Sequence, residues 1–147
     1  MRTIIAGSRR IFSRHHLDAA IQSCPWAHEI TSVVCGGTRG IDILGDRWAY
    51  EAGFPVEYFI VTRCGKIAMS DPFLNLRVVD GSPRNVHIVS DWEWNGKAAG
   101  PIRNRAMAQN ADALIAVPLK GDRRGTDSML ALAREYGLLT HEWEVSG

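Results

Sequence analysis

The chain has 147 residues, of which 46% are hydrophobic and 22% charged, and its net charge is +1. That length suits one domain whose interior can hold a sheet of about five strands covered on both faces, and the balanced charge excludes nucleic-acid binding driven by bulk charge. No apolar run approaches the roughly 20 residues of a membrane helix, and Cys24, Cys35 and Cys64 are too scattered for a disulfide frame or a zinc site.

Arg2–Thr3–Ile4–Ile5–Ala6 reads as a strand from the start, leaving no room for a signal peptide, so the cytoplasm is the expected compartment and no membrane partner is expected. Residues 3–7 form the first strand. A helix is predicted from Ser13, a good N-cap, with Leu17, Ala20 and Ile21 on one face and Pro25 ending it. Residues 31–35 make the second strand. Gly40 or Ile41 begins a second helix that stops at Gly53 as a C-cap, and Val56–Ile60 is the third strand.

Residues 61–90 are irregular. Leu76–Val79 and Val86–Val89 flank Asp80–Gly81–Ser82–Pro83, which fits a β-hairpin insertion, either a peripheral excursion or a lid over a ligand. The regular pattern resumes near Asp91. A helix is predicted over 100–110 with Pro101 in its first turn, a fourth strand over 112–118, a helix capped by Thr126 running to Gly137, and an edge strand over Thr140–Val145. Strands alternating with helices of this length imply right-handed βαβ units and a mostly parallel, Rossmann-like three-layer α/β sandwich.

The chemistry gathers in the glycine-rich turns that follow the strands. Gly7–Ser8–Arg9, Gly36–Gly37–Thr38–Arg39–Gly40–Ile41–Asp42 and Gly125–Thr126 each sit where backbone N–H groups meet the positive end of a helix. Gly36 and Gly37 let a ligand lie against the backbone. Arg103 and Asn104 fall at the front of a predicted helix, where an arginine is unfavourable unless it meets an anion. These residues are the candidate ligand-binding set: Gly7, Ser8, Arg9, Gly36, Gly37, Thr38, Gly40, Asp42, Arg103, Asn104, Gly125 and Thr126.

Asp42 reads two ways, as a carboxylate complementing its helix or as a partner for a ribose hydroxyl or a cationic transition state; Asp127 invites the same pair of readings. Trp92 and Trp94 suit base stacking or service as rim aromatics. The five histidines show no metal-ligand spacing, and the residues imply neither metal nor cofactor.

Taken together, Ala6–Gly7–Ser8–Arg9, Gly36–Asp42, Asp91–Trp92 with Gly96–Asn104, and Arg124–Gly125–Thr126–Asp127 resemble the SLOG superfamily, most closely its YspA/cpYpsA-related branch. The resemblance covers residues 1–60 and 91–145. It implies binding of nucleotides or nucleotide-derived ligands such as an ADP-ribose relative, sometimes in phage–host conflict. A more distant similarity is to the Lonely Guy phosphoribohydrolases, whose Gly-Gly-x-Gly-Thr-x-x-Glu loop is half kept: Gly125–Thr126 match, and Met129 stands where the catalytic Glu is expected.

Three functions follow as expectations. The first is a module that senses or sequesters a nucleotide-derived small molecule, with the amides of Gly7–Ser8 and Gly36–Gly37 and with Arg103 on phosphate, and Asp42 on ribose. The second is an enzyme acting on an N-glycosidic bond, with Asp42 or Asp127 as catalytic carboxylate. The third is a protein-interaction domain with a vestigial pocket. Assembly as a symmetric homo-oligomer is a further expectation.

Overall fold

Successive side chains of a strand point to opposite faces, and the central strands of this chain supply apolar residues to both. In the computed structural model, which describes residues 1–65 and 85–146, six strands form one all-parallel sheet. They are β1 (Arg2–Gly7), β2 (Ser32–Cys35), β3 (Val56–Thr62), β4 (Val86–Asp91), β5 (Ala113–Val117) and β6 (Leu139–Glu142), in the order β4-β3-β2-β1-β5-β6. The helices between them are α1 (Arg14–Ser23), α2 (Ile41–Ala52), the short α3 (Trp92–Asn95), α4 (Ala99–Gln109) and α5 (Arg124–Glu135).

Ile5, Val33, Tyr58, Ile115 and Val117 turn to the face covered by α1 and α2, where they meet Leu17, Ala20, Ile41 and Leu44. Ile4, Val34, Phe59, Leu114 and Ala116 turn to the other face and meet Met107, Ala108, Met129, Leu130 and Ala133 of α4 and α5. Each large side chain so buried contributes about 1.5–3 kcal/mol. Ile4 pairs with Val34 on one side and with Leu114 on the other, so β1 is the spine of the sheet.

Helix ends follow local chemistry with two departures. Gly53 takes the left-handed conformation at φ 80°, its N–H reaching the Tyr50 carbonyl while Phe54 N–H reaches Ala49, the Schellman ending that glycine makes cheap. Ser13 occupies the N-cap of α1 in extended geometry, but its hydroxyl pairs with His15 Nδ1 at 2.7 Å rather than capping a backbone N–H. α5 begins at Arg124, which moves Thr126 from the cap into the first turn.

Residues 86–91 add a strand to the expected sheet. They form β4, parallel to β3 with Tyr58 opposite Val86 and Ile60 opposite Ile88. β4 lies at the edge of the sheet among the described residues, partly exposed over Val86–Val89 and buried at Ser90 and Asp91. The other half of the expected hairpin, 76–83, lies outside the described residues. The sheet therefore has six strands rather than about five. β6 closes the far edge over Leu139–Glu142, slightly before the expected span.

Gly40 shows how tightly the strand-end loops are sutured. Its φ is 81°, and a Cβ there would lie 2.2 Å from the Ser8 carbonyl oxygen, which already accepts from Ile41 N–H at 3.2 Å. Gly125, by contrast, has nothing within 4 Å of its Cβ position. Gly40→Ala is expected to lower unfolding free energy by about 3 kcal/mol or more, and Gly125→Ala to leave it unchanged or raise it by up to ~1 kcal/mol; urea titration of the two variants measures the contrast.

Candidate functional site

From β1 the chain travels outward through β2, β3 and β4, then returns to the other side of β1 for β5 and β6. The loops leaving β1 and β5 therefore diverge, and at such a switch point an open parallel sheet leaves a crevice at its carboxyl rim. A cavity of about 270 Å³ occupies it, lined by Ala6, Gly7, Ser8 and Arg9 after β1, Thr38 and Asp42 after β2, Arg103, Asn104 and Met107 of α4, and Asp122, Gly125, Thr126 and Met129 around α5. A second cavity of about 340 Å³ adjoins it, sharing Arg9, Thr38 and Arg103 and adding Gly36, Gly37, Arg39, Ile60, Val61, Arg63 and Trp92. Arg103 faces both hollows, so Gly125 in the first and Gly37 in the second belong to one two-lobed site.

Two buried charges sit at the junction. Asp42 and Arg103 are only 5% and 7% exposed. Asp42 Oδ2 accepts from the Thr38 hydroxyl at 2.8 Å and from Thr38 N–H at 3.3 Å, leaving Oδ1 without a donor among the described residues. Arg103 Nη1 donates to the Gly36 carbonyl at 3.3 Å and Nε to Asn104 Oδ1 at 3.2 Å, leaving Nη2 unengaged among the described residues. Burial pushes the Asp42 carboxyl above the ordinary range, opposed by Arg103, Thr38 and Arg9. It lowers the Arg103 guanidinium, an effect Asp42 opposes and Arg9 reinforces. Gly36 makes room for both: a Cβ there would be 2.9 Å from Asp42 Oδ2 and 3.4 Å from Arg103 Nε.

Arg103 is thus not at a free helix N-terminus. It is the fifth residue of α4, which follows directly on the turn Gly96–Ala98, and burial rather than the helix dipole marks it.

Ser8 N–H donates to the Val117 carbonyl at 3.0 Å and Thr38 N–H to Asp42, so those two amides are engaged within the protein, while Gly36 and Gly37 line the second lobe. At α5 the first N–H with a backbone acceptor is that of Asp127, bonded to the Arg123 carbonyl at 2.7 Å. The amides of Arg124, Gly125 and Thr126 find no partner among the described residues, as expected of a helix first turn. Thr126, 5% exposed, presents a hydroxyl that also has no hydrogen bond there. A buried hydroxyl left unpaired costs about 1–3 kcal/mol, which an incoming acceptor recovers.

Arg9 and Arg10 separate in role. Arg10 reaches Asp122 at 3.6 Å, whereas the exposed Arg9 has no ion pair among the described residues and lines both lobes.

Two expected residues fall elsewhere. Gly40 lines neither lobe; it is the contact between two loops. Asp127 points to the outer side of α5, where Arg123 holds it at 2.8 Å in a cluster with Glu142 and Glu144. Asp127 lines neither lobe. Trp94 is 87% exposed, while Trp92 borders the second lobe. Arg63 was not anticipated. Its signal is position: it directly follows β3, which extends to Thr62 rather than ending at Ile60. Among the described residues no group of three or more His, Cys, Asp and Glu is placed to hold a metal ion.

Trp92 and Arg63 are braced by one carboxylate. Asp91 accepts from Thr62 Oγ1 at 2.6 Å, Gly65 N–H at 2.8 Å and Glu93 N–H at 2.8 Å, while its own N–H donates to Asn95 Oδ1 at 2.8 Å. The Gly65 amide, followed by the Thr62 hydroxyl, holds the carboxyl down at about 2.

No family model matches the chain. The gene 61 protein of Mycobacterium phage D29 is 36% identical over 107 residues, which are 72% of this chain and 66% of that protein. Among solved structures, DNA processing protein A from Helicobacter pylori, described for its single-stranded DNA binding mode, superposes with a TM-score of 0.64 at 18% identity, covering 95% of this chain and 63% of that one. That likeness establishes a shared Rossmann-like α/β architecture. No helix among the described residues is long and apolar enough to cross a membrane.

Because folding lowers the Asp91 pKa from 3.8 to about 2, the native state binds fewer protons between those values. The stability this carboxylate contributes is complete above about pH 4 and is lost as pH falls through about 2. Asp91→Asn is expected to lower the urea midpoint at neutral pH, with the difference from wild type shrinking toward pH 2.

Proposed function

We propose that this chain is a SLOG-type domain that binds a nucleotide or nucleotide-derived molecule, with phosphate on the first turn of α5 and sugar between Asp42 and Arg103. The observation that carries the reading is the buried Thr126 hydroxyl beside the first-turn amides of α5, none of them partnered among the described residues, in a cavity that Arg9 also lines. Helix N-termini of this kind favour anionic oxygens, and an arginine adds a bidentate phosphate partner. The Asp42 carboxylate, with Oδ1 undonated, suits the vicinal hydroxyls of a ribose. An ADP-ribose relative belongs to this class.

A second reading, cleavage of an N-glycosidic bond, rests on Asp42 alone. It is a buried carboxylate inside the cavity, of the kind that supports a cationic sugar centre. Met129 lines the same cavity where the Lonely Guy pattern has its Glu, which favours binding over hydrolysis. Release of free base from nucleotides, followed by chromatography, tests it; the activity is expected to disappear in Asp42→Asn.

Calorimetric titration with a panel of phosphorylated nucleosides tests the binding function. A short single-stranded oligodeoxynucleotide is included because the fold neighbour binds single-stranded DNA; the net charge of +1 favours the mononucleotide. Wild type is expected to saturate with a nucleotide. Thr126→Val is expected to weaken that binding by about tenfold, the worth of one hydrogen bond to a charged group, while its thermal stability is retained or raised. Absence of saturable binding to every phosphorylated nucleoside overturns the proposal.

A further inference from the structure

Arg39 and Arg63 have no part in the reading above, yet both line the second lobe. The first lobe, at about 270 Å³, falls just below the ~300 Å³ at which small-molecule sites begin. The lobes meet at Arg9, Thr38 and Arg103, so a ligand seated in the first has room to continue into the second.

The two lobes differ in charge. The first sets Arg9 and Arg103 against Asp42 and Asp122, an even balance. The second is lined by Arg9, Arg39, Arg63 and Arg103 with no carboxylate among the described residues. Elsewhere on the surface Arg10, Arg14, Arg105 and Arg123 each hold a carboxylate within 4 Å. Arg9, Arg39 and Arg63 are exposed and have no ion pair or hydrogen bond among the described residues. Like charges collected in a hollow repel one another and attract a polyanion, and arginine is the side chain best matched to phosphate. Trp92 borders this lobe as an aromatic face for a base.

We propose that the ligand carries two separated phosphates, one on the first turn of α5 and the other among Arg39 and Arg63, with its sugar between them: a nucleoside phosphorylated on both sides of its ribose. This rests on the nucleotide-binding reading and goes further by specifying where the second phosphate lies. It also distinguishes the ligand from nucleoside di- and triphosphates, whose phosphates run from one side of the sugar.

Calorimetry with adenosine 3′,5′-bisphosphate, AMP and ADP tests it. The bisphosphate is expected to bind about tenfold more tightly than either AMP or ADP, with the advantage shrinking at higher salt because both arginines are exposed. An Arg39→Ala/Arg63→Ala variant, its fold checked by thermal melting, is expected to lose more affinity for the bisphosphate than for AMP, so that the advantage of the bisphosphate disappears. Equal affinities for the bisphosphate and AMP overturn the two-phosphate proposal while leaving nucleotide binding in place. So does ADP matching the bisphosphate, which would make charge rather than spacing the determinant. Loss of AMP binding in the double variant overturns it by assigning the arginines to the first phosphate. Failure of all three nucleotides to bind wild type overturns the nucleotide-binding reading itself.

Discussion

A carboxylate and a guanidinium, each more than nine-tenths buried, both approach within 3.4 Å of the point where a side chain at position 36 would begin. Removing such charges from water costs several kcal/mol per ion, and hydrophobic residues of similar size stabilise a fold more cheaply. What tolerates them here is a ring of partial satisfaction: Thr38 donates twice to Asp42, and the Gly36 carbonyl and Asn104 accept from Arg103. The arrangement leaves one carboxylate oxygen and one guanidinium nitrogen without a hydrogen bond among the described residues. Polar groups that are buried, paired and still incompletely used are a mark of a site rather than of a core.

The rest of the site is arranged around that junction by topology. In an all-parallel sheet every strand ends on the same rim, so loops distant in sequence are neighbours. Gly7, Gly36 and Gly40 serve this crowding. Their missing side chains let the β1 loop lie against β5, the β2 loop against α4, and α2 begin beneath Ser8. Gly125 has another use, since its space is open and its N–H is free. Glycine-rich turns that look alike in sequence thus divide into tight loop contacts and an open helix start. The hydrogen bonds already made by Ser8 and Thr38 decide which is which.

The arginines divide similarly. Arg10 and Arg123 are locked to acidic neighbours and contribute to the surface, while Arg9, Arg39 and Arg63 line the lobes with no ion pair among the described residues. The brace at Asp91 ties the end of β3 to the start of α3, holding Arg63 and Trp92 on the same rim. The architecture shared with DNA processing protein A accounts for the scaffold; these side chains define what the scaffold presents.

Much of this was legible in the chain itself. Alternating β-branched runs and glycine stops marked β1, β2, β3 and β5, and the strand–turn–helix order dictated a parallel sheet with its loops on one edge, because periodicity and turn chemistry are local properties. Local patterns did not place Val86–Asp91 in the main sheet, since only pairing with β3 sets it there as a parallel strand. They also placed Asp127 among the catalytic candidates. Sequence shows that a carboxylate follows Gly125–Thr126, but which side of α5 it occupies, and that Arg123 captures it, depends on packing. The burial of Arg103, the unpaired Thr126 hydroxyl and the second lobe with Arg63 belong to the tertiary structure alone, because solvent exclusion and hydrogen-bond partners arise only once distant strand ends meet.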